Sequence, residues 1–258
     1  VPNTPSLITS ADGWPQYRRV GECGLLVEFA NVIDATVNGQ VRALLAAIDA
    51  APPPGLHELI PAYRTLLILY DPLVLTEEQL LARLTALVQA TDATDTPSRL
   101  VTIPALYGGE YGPDLDDVAA HCGLPPEEVI VRHSSATYLV YFIGFSPGYP
   151  YLGGLDPALT TPRLASPRLR VPAGAVAIGG QQTGVYPQET PGGWRLIGRT
   201  PIRLYDPQAR EPFLLRAGDR VRFRPIGANE YEALRREAAG EPARDSRIGQ
   251  PGTSDGQD

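Results

Sequence analysis

The stretch Ile143-Gly-Phe-Ser-Pro-Gly-Tyr-Pro-Tyr-Leu152 decides between two folds. Its core, GFSPG, formally matches Gly-x-Ser-x-Gly, the nucleophile elbow that would place Ser146 on the strand-to-helix turn of an α/β-hydrolase. An elbow needs a backbone N–H just after the serine to help hold an oxyanion, and Pro147 has none. The three histidines, His57, His121 and His133, all precede Ser146, so the order serine, acid, histidine cannot be completed downstream. Gly148 to Gly154 is rich in proline and glycine and does not start a helix. The segment is therefore read as a turn that ends the strand Thr137 to Ile143. Pro147 and Gly148 set that turn, and Phe145, Tyr149 and Tyr151 supply a wall or packing surface at the mouth of a β-barrel.

The flanking sequence agrees with a barrel. Strand patterns at Leu100 to Ile103, Thr137 to Ile143, Ala175 to Ile178, Trp194 to Ile197, Arg203 to Tyr205 and Asp219 to Phe223 alternate with Gly- and Pro-rich loops, the pattern of a β-barrel or sandwich. Short helices are predicted at Asp114 to His121 and Pro125 to His133, while Ser146 to Gly174 shows little regular pattern. Upstream the pattern is strand, helix, strand, strand, helix, strand. Gly24 to Phe29 is followed by Val41, Leu44, Leu45 and Ile48 at helical spacing, then by strands at His57 to Pro61 and Thr65 to Tyr70. Thr76-Glu-Glu-Gln79 is a capping box that opens a helix carrying Leu80, Leu84, Leu87 and Val88. This order predicts a small ferredoxin-like sandwich over residues 1–97, with the polar stretch Thr91 to Ser98 as boundary and the barrel over 98–228. Residues 229–258 are expected to hold a short helix, Glu230 to Ala239, and a disordered tail.

All 22 basic residues of the 258 are arginine, which excludes a Schiff-base lysine and the lysine of a phosphate-binding P-loop. A net charge of −7 argues against nucleic acid as the main partner. Hydrophobic runs fall short of the roughly 18 to 20 residues that span a bilayer, and no secretory pattern opens the chain, so no membrane association and a cytoplasmic location are expected. Residues 98–228 alone are not acidic, with 13 arginines against 11 acidic residues, and an anionic ligand is expected there. Cys23 and Cys122 are expected to be ordinary reduced thiols.

Within that region Arg163, Arg168 and Arg170 lie beside Gly-rich backbone, either a guanidinium cluster for carboxylate or phosphate or surface arginines pairing with nearby acids. Gln182 and Thr183 could orient a small polar molecule and Tyr186 and Trp194 wall it, or the aromatics belong to the core. His133 is either a general base or a structural hydrogen-bonder. His57-Glu-Leu-Ile-Pro61 begins like a zinc motif but ends in proline, and no metal site is expected. Gly179 to Gly184 resembles a phosphate loop only in its glycines.

Six segments together resemble one family: Tyr138 to Asp156, Arg170 to Gly174, Val176 to Pro187, Pro191 to Pro201, Ile60 to Pro72 and Ile103 to Leu115. The family is the carboxyltransferase-subdomain group of the 5-oxoprolinase B subunit. It also contains KipI, a sporulation kinase inhibitor, and allophanate hydrolase subunit 1, the first half of the urea carboxylase carboxyltransferase domain. The resemblance runs from about Tyr17 to Ile226, with Ala175 and Gly179 standing where the family often has serine and alanine. It implies an α+β protein in which a small ferredoxin-like α/β domain precedes a cyclophilin-like β-barrel. It further implies work with partner subunits C and A in the ATP-dependent opening of 5-oxoproline to glutamate, with ATP and Mg2+ used by the complex and neither assigned to this chain. The chain is expected to be inactive alone. His133, Gln182 and Thr183 are the expected catalytic residues. Arg163, Arg168, Arg170, Phe145, Pro147, Gly148, Tyr151, Tyr186, Trp194 and Arg199 are expected to bind substrate. Inhibition of a sensor histidine kinase and carboxyl transfer from biotin to an amide are the alternatives.

Overall fold

The computed structural model describes residues 8–9, 13–90 and 99–238. The N-terminal part comprises β1 (Ile8–Thr9), β2 (Gln16–Val20), β3 (Gly24–Glu28), α1 (Ala35–Ala50), β4 (Leu56–Pro61), β5 (Thr65–Tyr70) and α2 (Glu77–Ala90). Asp34 starts α1 by accepting the Thr36 N–H at 2.7 Å. The predicted capping box opens α2, where Thr76 N–H donates to Gln79 Oε1 at 3.0 Å and Gln79 N–H donates to Thr76 Oγ1 at 3.3 Å. Both helices cover one face of the sheet, packing Val41, Leu44, Ile48, Leu80 and Leu84 on Leu25, Val27, Leu66 and Ile68. Each such side chain contributes about 2 kcal/mol by leaving water.

The sheet is antiparallel in the order β1-β2-β3-β5-β4, and β2 to β4 reproduce the ferredoxin-like arrangement. One detail differs from expectation. Among the described residues no strand follows α2 within this sheet, and the place beside β3 is taken by β2, which precedes it and joins it in a hairpin. The predicted boundary at Thr91 to Ser98 and the tail after Ala238 lie outside the described residues.

The barrel part comprises β6 (Leu100–Tyr107), α3 (Leu115–Cys122), α4 (Pro126–Ser135), β7 (Tyr138–Ile143), β8 (Pro150–Gly153), β9 (Arg168–Val171), β10 (Ala175–Gly179), β11 (Gln182–Val185), β12 (Thr190–Gly192), β13 (Arg195–Arg199), β14 (Arg220–Pro225) and α5 (Ala228–Ala238). Seven of its strands close into a barrel in the order β10-β11-β8-β7-β14-β6-β13, and β9 and β12 form a separate two-stranded ribbon. Arg203 to Tyr205, expected as a strand, makes only an isolated bridge from Tyr205 to Phe213. The segment expected to lack pattern holds β8, β9 and a 3₁₀ turn, Pro157–Leu159.

Alternation along the strands gives the barrel two apolar faces. Val176 and Ile178 of β10, Leu152 of β8 and Ile197 of β13 point inward to a core shared with Val140, Val185 and Phe223. Ala175, Ala177 and Leu196 point outward and are covered by Tyr149, Tyr186 and Trp194. That outer layer carries the cleft described next.

Candidate functional site

A cleft of about 270 Å³ lies on the outer face of the barrel, between the aromatic layer and the ribbon. Phe145, Tyr149, Tyr151, Tyr186 and Trp194 line it from the barrel side, and Pro167, Pro191 and Gly192 from the ribbon. The expected position at the barrel mouth is thus corrected. The inward positions are filled by the core, so the aromatic side chains, which alternate with core residues, face out.

Glycine lets large rings lie on the sheet. A Cβ on Gly179 would sit 2.5 Å from the Trp194 indole, and one on Gly184 would sit 2.9 Å from the Tyr149 hydroxyl oxygen. The rings meet edge to face, Tyr149 with Tyr186 at 5.3 Å and with Trp194 at 5.9 Å. Burial raises the phenol pKa of Tyr149 and Tyr186, so both are neutral hydroxyls at neutral pH.

Arg163 supplies the charge. Its guanidinium carbon stands 5.6 Å from the centre of the Trp194 ring, a cation–π contact on the cleft wall. No carboxylate among the described residues pairs with it, whereas the other two arginines of the expected cluster are engaged elsewhere. Arg168 donates to the buried Asp114 at 2.7 Å, and the second oxygen of Asp114 accepts the Leu196 N–H at 2.7 Å. Arg170 is 82% exposed on the ribbon, 3.8 Å from Glu189. Arg199 donates to the Ala173 carbonyl at 2.8 Å and does not line the cleft. Pro147 and Gly148 shape the turn beside the cleft without lining it, and Gln182 is half-buried and likewise absent from the lining.

The structure places His133 and Thr183, expected as catalytic residues, in the core and outside the lining of the cleft. His133 is 0% exposed inside the barrel, where Tyr107 Oη lies 2.8 Å from Nδ1 and Thr183 Oγ1 lies 2.8 Å from Nε2. Thr183 donates its own proton to the Ala177 carbonyl at 3.0 Å, so it accepts from Nε2–H, and Tyr107 donates to Nδ1. Burial lowers the histidine pKa to about 3, leaving a neutral ring with both nitrogens occupied. This is a hydrogen-bonded core link that forms no part of the cleft lining.

Of the predicted residues the fold lines the cleft with Phe145, Tyr151, Arg163, Tyr186 and Trp194, sets Pro147 and Gly148 beside it, joins His133 to Thr183 in the core, and leaves Gln182, Arg168, Arg170 and Arg199 outside the lining. Pro167 and Pro191 were missed, because their contribution depends on β9 pairing with β12. Among the described residues no three His, Cys, Asp or Glu side chains converge as a metal site would require, and no helix is long and apolar enough to cross a membrane.

Fold and cleft define a two-part protein, a cyclophilin-like barrel with an outer aromatic cleft beside a ferredoxin-like sandwich. Residues 15–215 match the family described as carboxyltransferase domain, subdomain C and D. The chain is 42% identical over 237 residues to the 5-oxoprolinase B subunit of Bacillus subtilis, a match covering 86% of this chain and 98% of that protein. Among solved structures, TTHA0988 superposes with a TM-score of 0.71 at 43% identity, covering 79% of this chain and 40% of that one. The Kluyveromyces lactis urea amidolyase superposes with a TM-score of 0.74 at 23% identity, covering 92% of this chain and 16% of that one, a likeness of fold alone. The chain belongs to the carboxyltransferase subdomain C and D family, in its group of 5-oxoprolinase B subunits.

Proposed function

We propose that this chain is the B subunit of a heteromeric, ATP-dependent 5-oxoprolinase, and that the outer cleft binds 5-oxoproline or its activated form. The observation that carries the reading is Arg163, a guanidinium without a carboxylate partner among the described residues, set on an aromatic wall. 5-Oxoproline is a five-membered lactam bearing a carboxylate. The carboxylate suits the guanidinium, and the ring methylenes suit the faces of Tyr151 and Trp194. A cleft of about 270 Å³ is in keeping with so small a ligand.

Hydrolysis of a lactam is slow without activation, and phosphorylating the amide oxygen would make the carbonyl carbon reactive. The residues of this chain do not suit the nucleotide. It has no lysine, and Gly179–Gly184 spans the end of β10, the hairpin turn and most of β11, with no helix N-terminus to receive a phosphate. Phosphoryl transfer is therefore assigned to a partner, subunits C and A being the expected ones, and this chain to holding the lactam or its activated form. On this reading the isolated chain is inactive.

The test is glutamate formation from 5-oxoproline and ATP by the assembled subunits, with and without this chain. Turnover is expected only with it, and Arg163→Gln is expected to raise the KM for 5-oxoproline roughly 10- to 100-fold, the effect of losing one charge-assisted hydrogen bond. Full turnover without the chain would refute the assignment. So would co-purification with a sensor histidine kinase or a biotinylated protein in place of the expected subunits.

A further inference from the structure

The sandwich and the barrel meet beside the cleft through a polar clamp and an aromatic bridge. Asn38 of α1 is 0% exposed. Its amide nitrogen lies 3.3 Å from the Ala62 carbonyl, 3.2 Å from that of Tyr63 and 3.4 Å from that of Tyr141 on β7. Its oxygen accepts from Arg42 at 3.2 Å. One buried side chain thus ties the β4–β5 turn to a barrel strand.

That turn carries Tyr63, whose ring meets three barrel rings edge on: Tyr141 at 5.4 Å, Phe142 at 4.9 Å and Tyr151 at 5.7 Å. Phe142 and Tyr151 are stacked at 4.3 Å and 16°, and Tyr151 meets Tyr149 at 5.3 Å. Tyr151 and Tyr149 are cleft residues. The Tyr63 hydroxyl is buried and has no hydrogen-bond partner, so the contact is made by the ring.

We propose that Tyr63 is a positioning residue of the cleft, through which the N-terminal sandwich holds the Tyr149–Tyr151 wall opposite Arg163. The inference rests on the cleft being the 5-oxoproline site only for its kinetic consequence. Losing the ring removes the edge that Tyr63 sets against both members of the Phe142–Tyr151 stack, and a wall that no longer fits one orientation of ligand weakens binding before it affects chemistry.

The test uses the full chain with Tyr63→Leu and Tyr63→Phe. In the assembled enzyme Tyr63→Leu is expected to raise the KM for 5-oxoproline roughly tenfold with kcat within about twofold, and Tyr63→Phe to restore the wild-type KM. In the isolated chain, amide hydrogen exchange over Tyr149 to Gly153 is expected to quicken in Tyr63→Leu and to match wild type in Tyr63→Phe. If Tyr63→Leu does not fold, Tyr63→Met carries the same expectations. A folded Leu or Met variant with unchanged exchange overturns the proposal, as does an equal loss in Tyr63→Phe, which would assign the effect to the hydroxyl. If the wild-type assembly forms no glutamate, the functional reading fails while the exchange measurement still decides the positioning role.

Discussion

Replacing Gly148 by valine is expected to destabilise the protein by about 4 kcal/mol, a large part of the 5 to 15 kcal/mol that holds a typical domain folded. Gly148 has φ +81°, where a β-branched residue is strained. Its Cβ would stand 2.8 Å from the Cβ of Tyr205 and 3.4 Å from the Leu204 carbonyl oxygen, so the turn has no room to relax. Ser146→Ala in the same motif is expected to change stability by less than about 0.5 kcal/mol or to raise it slightly, because the Ser146 hydroxyl is buried with no hydrogen-bond partner. Urea unfolding of the two variants measures the difference. A Ser146→Ala enzyme that is fully folded but dead would revive the nucleophile that Pro147 argues against.

His133→Ala is expected to cost about 4 kcal/mol, from the cavity left beside Phe223, whose ring is 4.6 Å away, and from the Tyr107 hydroxyl left buried without its acceptor. The same residue sets a pH dependence. Burial lowers its pKa from 6.5 to about 3, so below pH 6.5 the unfolded chain takes up a proton that the folded chain does not. Its contribution is complete above pH 6.5 and is lost as the pH falls toward 3, amounting to about 2 kcal/mol at pH 5. A stability profile from pH 7.5 to 4.5 should lose this component in His133→Gln. Turnover per folded molecule should be retained in that variant, and a well-folded, inactive His133→Gln would return the histidine to the catalytic machinery.

Much of the fold was legible locally. The run Thr65 to Tyr70 is β5, the Thr76–Gln79 capping box opens α2, and the rejection of an elbow at Ser146 leads directly to the turn between β7 and β8. β8, β9, β11 and β12 were not legible, being three or four residues long and, except for β9, carrying proline or glycine. Such strands exist because a partner strand satisfies their backbone, and propensity over so few residues says little. The ferredoxin-like order was readable, but its edge was filled from the N-terminal side by β2, a choice made by hairpin closure.

The chemistry of the cleft could be read as a composition, aromatic residues and arginine among glycines. Which arginine remains available could not. Arg168 is neutralised by Asp114, 54 positions away, and Arg163 is left over a tryptophan 31 positions downstream. Nor could His133 be turned inward, or Tyr63 brought to the wall of a cleft in another part of the molecule, by any pattern of its neighbours. Helix caps, turns and apolar periodicity act within a few residues and are therefore written in the chain. Charge pairing, burial and ring packing depend on which distant segments the closed barrel and the docked sandwich bring together, and it is those contacts that turn a Gly- and Tyr-rich stretch into a candidate binding site.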